Sequence, residues 1–210
     1  MRVRWTGLVL ALALVAAVVG YGVGVLRRSE PTTFTAGPVV AVSPSYPAAP
    51  VPVLPDPDFP ALQPGLPLHP AVVGTPPFDF HLPIPRGWVR TNPTTSEWHW
   101  HAPPEFVPNT YFIRVKLLGN SYVTVSNATD QRITALENAG DVADLHIDSR
   151  DADGFTSTYV AGGHRRVDLE RFIGSPDSEL VYASIAVIGR ERDRAGLEDL
   201  LTRLAAEAGP

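Results

Sequence analysis

Hydrophobic and polar residues follow three different regimes along this chain. From Trp5 to Leu26 no charged residue occurs, and nearly every position is Leu, Val, Ala or Gly. Between Ser29 and Pro77, apolar residues are broken up by proline every few positions, as in "YPAAPVPVLPDPDFPALQPGLPLHP". After Phe78 the chain alternates with period two, and twice switches to the 3.6-residue period of a helix.

Each regime predicts a different object. A helix over residues 5–26 would extend roughly 33 Å, enough to cross a bilayer core. Arg2 and Arg4 precede it, Arg27 and Arg28 follow it, and Trp5 suits the interface. A cleaved signal peptide would have a shorter apolar core ending in a small-x-small site, whereas this run closes on "VGVLRR". The expectation is a retained transmembrane anchor with its short basic tail, residues 1–28. Residues 29–77 hold 14 of the 22 prolines and are expected as a disordered or polyproline-like linker, reaching at most about 150 Å. The segment lacks too many backbone donors for sheet or helix.

A globular domain is expected over residues 78–208. In "FDFHLPIP", Phe78, Phe80, Leu82 and Ile84 share one face of a strand, and "PRGW" turns the chain at Gly87. Tyr111, Ile113, Val115 and Leu117 alternate with Arg114 and Lys116 in a further strand. A helix follows, with Asn127 as N-cap, Ile133 and Leu136 on one face, and Gly140 as its stop. Strands are expected near Leu145–Ser149, Phe155–Ala161 and Arg166–Ile173, and "ELVYASIAVIG" reads as a central strand covered on both sides. Leu197, Leu200, Leu201, Leu204 and Ala208 trace the stripe of a last helix. Strands, helix, strands, helix, joined by short turns, predict an α+β fold: an antiparallel sheet flanked by helices.

"FDFHLPIPRGW" resembles the opening strand and turn of PsbP-like domains. "YASIAVIGRERDRAGLEDLLTRLAAEA" is similar to the last strand and helix of the LpqN-like actinobacterial members of that fold. The resemblance spans about residues 76–208. It implies an α-β-α sandwich in a cell-envelope protein that acts as an accessory or interaction partner and has no chemistry of its own. LpqN-like members are typically lipoproteins. This chain has no cysteine to acylate and carries the apolar helix instead.

Composition narrows the choice. The absence of cysteine excludes disulfides, thiolate metal sites and a cysteine nucleophile. A net charge of −5 argues against nucleic acid as a partner. Sixteen of the seventeen basic residues are arginine, as expected from a GC-rich genome.

Candidate chemistry is sparse. "SEWHWHAPP" puts His99 and His101 on one face of a strand, where they could supply two metal ligands, but no third is placed near them. Trp98 and Trp100 on the other face account for the alternation as core packing. "DSRDADG" (148–154) lacks the closing glutamate of a calcium loop and reads as a turn. His164, Arg165 and Arg166 in "GGHRR" are the most basic spot and the candidate anion site. Asn127-Ala-Thr129 forms a glycosylation sequon at a helix start. Gly20 and Gly24 have the GxxxG spacing of a helix-dimerisation face. No nucleophile elbow, P-loop, zinc-protease or dinucleotide fingerprint occurs, and no cofactor is implied. The expected function is a single-pass membrane protein with an extracytoplasmic, non-catalytic domain that binds another envelope protein. The alternative is a tethered carrier of a lipid or glycan, in a pocket lined by Trp88, Trp98 and Trp100.

Overall fold

The computed structural model describes residues 50–103, 107–119 and 122–210. The expected anchor, with Gly20 and Gly24, and the first part of the expected linker lie outside the described residues. Among the described residues, no helix is long and apolar enough to cross a membrane.

Among the described residues, nine strands form two antiparallel sheets. β1 (Leu68–Thr75) and β2 (Phe78–Pro85) make a two-stranded ribbon in register from Leu68↔Pro85 to Thr75↔Phe78. The other seven are β3 (Val89–Thr94), β4 (Glu97–His101), β5 (Phe112–Leu117), β6 (Val142–Arg150), β7 (Gly154–Ala161), β8 (His164–Gly174) and β9 (Val181–Gly189). They stand in the order β3-β4-β5-β9-β8-β7-β6. Two meanders, β3-β4-β5 and β6-β7-β8-β9, thus meet where β5 pairs with β9. β9 is central and its residues are buried on both faces apart from Tyr182, as the continuous apolar run requires.

Two helices complete the described residues: α1 (Val125–Glu137) and α2 (Arg194–Glu207). α1 starts at Thr124, not at Asn127: the Thr124 hydroxyl accepts the Asn127 N–H at 3.3 Å. It ends at Asn138, whose side chain donates to the Thr134 carbonyl at 2.7 Å. α2 lays Leu197, Leu200, Leu201 and Leu204 on the sheet and the β1–β2 ribbon. They join Phe80, Leu82, Ile84, Trp98, Trp100, Ile113, Val115, Val167, Leu169, Ile185 and Val187 in the main core. α1 lies against the opposite face, mainly over β6, β7 and β8, where Ala128 and Leu136 meet Phe155, Tyr159 and Phe172.

The expected helix-flanked α-β-α sandwich is therefore corrected. The fold is mainly antiparallel β. One face is closed jointly by a β-ribbon and one helix, and the other carries a 13-residue helix that leaves β3 and β4 without helical cover. The expected linker boundary at residue 77 also shifts. Residues 68–75 are β1, and residues 54–65 are bonded to the domain as a strap.

Arg190 makes the largest share of the side-chain bonds that hold the strap. Arg190 is fully buried and directs its guanidinium at the carbonyls of Pro57 (3.2 Å), Phe59 (3.0 Å) and Pro60 (3.0 Å) and at both oxygens of buried Asp193 (2.7 and 2.9 Å). The Asp193 carboxylate also accepts the Leu62 N–H at 3.0 Å and the Arg190 N–H at 2.8 Å. Farther along, the Gly65 N–H donates to Asp199 at 2.8 Å. Prolines leave many carbonyls without an internal partner, and a five-donor fork satisfies three of them at once.

A groove between helix and sheet

The face of the sheet under α1 is unusually polar for a covered surface. Period two puts Arg114 and Lys116 of β5, Asp168 and Glu170 of β8, Ser184 of β9, and Ser157 and Tyr159 of β7 on this side. On β5, β8 and β9 the alternate residues, among them Ile113, Val115, Val167, Leu169 and Ile185, fill the main core, so these polar groups have no other direction to take.

α1 stands over this face and leaves a groove of about 320 Å³. Its polar lining is Arg114, Lys116, Gln131, Arg132, Glu97, Glu170 and Ser184, and its apolar lining is Leu118, Val123, Ala128, Phe172 and Val181. By strand register Arg114 and Glu170 share one rung, Lys116 and Phe172 the next, and Leu118 and Val181 lie beyond, so the lining grades from ionic to apolar along the strands. Arg114 comes from the sheet and Arg132 from the helix, yet both donate to the same oxygen of Glu170, at 2.8 and 2.9 Å. Glu170 is 3% exposed. Burial alone would raise its pKa, but Arg114 and then Arg132 outweigh burial and hold the carboxyl below its ordinary value. The same Glu170 charge offsets the cost of burying Arg114 and leaves that guanidinium more firmly protonated.

Asp168, two residues away on β8, has a different environment. It is fully buried, Arg132 Nη2 is 3.8 Å away, and its carboxylate, beside the Tyr159 hydroxyl, makes no close hydrogen bond. Ser157, directly across the β7–β8 ladder, is equally buried with its hydroxyl unpartnered. Burial, only partly offset by Arg114, pushes the Asp168 carboxyl up to about 6. Burial and the charge of Asp168 raise Tyr159 as well. Two carboxyl groups on one strand face are thus driven in opposite directions by the number of donors each receives.

The residues singled out from sequence fall elsewhere. Trp98 and Trp100 are 5% and 4% exposed in the main core, and Trp88 stacks on Tyr111 with ring centres 5.8 Å apart. They lie on the α2 side of the sheet and line no part of the groove. His99 and His101 do share the opposite face, with ring centres 6.1 Å apart. His99 Nε2 is engaged by Glu97 at 2.7 Å, and no group of three metal-ligating side chains occurs among the described residues. Burial, and then His99, hold His101 below the ordinary histidine pKa.

The basic triplet is dispersed. Arg165 bonds Asp144 at 2.6 Å, while Arg166 turns inward to the Asn109 and Arg165 carbonyls and, at 3.8 Å, to Asp56. His164 lies 3.9 Å from the same Asp56. In the "DSRDADG" turn, the Asp151 N–H meets the Gly154 carbonyl at 2.9 Å and Asp153 pairs with Arg171.

Sequence reading missed Arg114, Arg132, Asp168 and Glu170 as a group. The available signal was "RVDLERF", in which two acids alternate with large apolar residues within one strand. Charges at that period must lie on a covered face, and so need partners. No known protein-family model matches this chain, and no curated protein matches it.

Proposed function

We propose that the chain is a membrane-tethered binding protein whose head domain lies outside the membrane and captures a small ligand in the groove between α1 and the sheet. One observation carries this reading. A concavity of about 320 Å³ joins a preset ionic end to an apolar end, and ligand sites are commonly apolar clefts with a few fixed polar groups. Arg114 and Arg132 are held in place before any ligand arrives, because buried Glu170 fixes both guanidiniums. No reaction is assigned. The tether rests on the uncharged run from Trp5 to Leu26.

The alternative carrier reading from sequence is thereby moved from the tryptophans to the opposite face of the sheet. A protein partner remains the second reading, supported by the exposed edge strand β3, all of whose residues are exposed.

Native mass spectrometry of the full chain released from its own membranes tests the proposal. A bound small molecule of defined mass is expected, and Gln131→Trp, which places an indole across the mouth, should remove it. Protease applied to intact cells should cut the head domain away. A ligand-free protein, a ligand indifferent to Gln131→Trp, or a protected head would refute it.

A further inference from the structure

We infer that the groove takes an oxyanion, a carboxylate or phosphate bearing a short apolar substituent, with Arg114, Lys116 and Arg132 binding the head and the Leu118–Phe172–Val181 end binding the substituent. The inference rests on the groove being a ligand site and adds the class of ligand.

The lining carries three cations, Arg114, Lys116 and Arg132, against two carboxylates, Glu97 and Glu170, with buried Asp168 behind them 3.8 Å from Arg132; what is in surplus is hydrogen-bond donors. Glu97 is already engaged by His99 at 2.7 Å. The two guanidiniums hold ten N–H donors between them, and the bonds they make within the chain converge on one oxygen, Glu170 Oε2. The side chains remain 18% and 26% exposed, so donors are left facing the opening. A guanidinium fork matches the two oxygens of a carboxylate or phosphate in one plane. Glu170 acts as a positioning residue: it keeps two like charges together that would otherwise repel, one on the sheet and one on the helix.

Lys116 adds the third charge and a selective handle. It is the chain's only lysine, lies on β5 two residues from Arg114, and is exposed. A neutral or cationic ligand would leave this donor surplus unanswered. A bare inorganic anion would leave the apolar end empty.

The sole lysine makes the test direct. An amine-reactive ester is applied to the full chain in phosphatidylcholine nanodiscs, and modification of Lys116 is followed by peptide mass spectrometry. Hexanoate and hexyl phosphate should slow Lys116 labelling at least tenfold at saturation, while hexyl glucoside, with the same tail and no charge, should not. Arg132→Gln should raise the half-protecting concentration of both anions about tenfold. Should that variant fail to fold, the unmodified chain still decides: inorganic phosphate should compete with hexanoate, and sodium chloride at equal ionic strength should not. Protection in discs containing phosphatidic acid, with no added probe, would identify a lipid headgroup as the source; protection by soluble probes alone identifies a free acid. Equal protection by the glucoside, or anion protection unchanged in folded Arg132→Gln, would overturn the oxyanion assignment and leave the groove a binding site. If no probe protects Lys116 and native mass spectrometry finds no ligand, both readings fall together.

Discussion

Two acids on β8 show how strongly neighbours decide what a residue does. Asp168 and Glu170 share a strand, a face and near-complete burial, and differ in their donors. Glu170, with two guanidiniums on one oxygen, has its carboxyl held low; its contribution to stability is present at neutral pH and is lost as pH falls below the usual carboxylate range. Asp168 has the opposite sign. With its carboxyl at about 6 and an unfolded value near 4, the folded state holds the proton more tightly. Asp168 therefore lowers stability progressively as pH rises from about 4 to 6, and the deficit is complete above that window. Asp168→Asn should raise stability at pH 7 by on the order of 2 kcal/mol, and should flatten the profile between pH 4 and 6. Denaturant titrations at four pH values check this. A variant less stable than the parent at pH 7 would show that the Asp168 carboxylate is better supported than its surroundings indicate.

Among the elements, those made by sequence-local patterns were legible, and those made by distant partners were not. β9 and α2 follow from one run of apolar residues and one leucine stripe. β2, β5, β7 and β8 follow from alternation, though Phe78, expected inside, is 65% exposed because it sits at the β1–β2 turn. β1 was hidden because "LHPAVVGT" follows a proline-rich tract and contains Pro70, which faces Pro83 across the ribbon. A two-stranded ribbon consists of edge strands only, where a missing N–H is tolerated. The groove was hidden for another reason. Arg114, Arg132 and Glu170 belong to three elements, and only folding makes them neighbours.

The contact of α2 with the strap reverses an ordinary rule. Gly196 lies inside α2, where alanine normally stabilises by roughly 0.5–1 kcal/mol. A Cβ there would overlap the Leu62 carbonyl oxygen, a backbone atom held by the Asp193 carboxylate through the Leu62 N–H. Gly196→Ala should therefore destabilise the fold by about 1–3 kcal/mol, measured as a lower denaturation midpoint. A neutral or stabilising result would mean that the strap moves aside at little cost.

For the whole molecule, the head begins near residue 50 and not at Phe78. Residues 50–77 supply β1, half of the ribbon, and the carbonyls that Arg190 requires. A chain starting at Phe78 would leave a buried guanidinium short of three acceptors and Asp193 short of the Leu62 amide. Losing one side of a buried ion network costs on the order of 3–5 kcal/mol, a large share of a domain's total stability. That truncation should fail to give a cooperative thermal transition, whereas a chain starting at Ala49 should give one. Cooperative melting of the shorter chain would demote the strap to decoration. The compositional shift to proline was legible as a boundary in the sequence, but proline content alone cannot say whether such a tract hangs free or is bonded down.

The place where Arg190 grips the strap also fixes how tension enters the head. A pull arriving from upstream of residue 50 meets first the Leu54 amide on the Gly163 carbonyl, and then three carbonyls on a guanidinium braced by Asp193. Only after those yield could it reach the first ribbon strand. Because Gly163 is in the β7–β8 turn and Arg190 directly follows β9, such a pull is delivered to the ends of the seven-stranded sheet, along hydrogen bonds that must break before the ribbon bears any load.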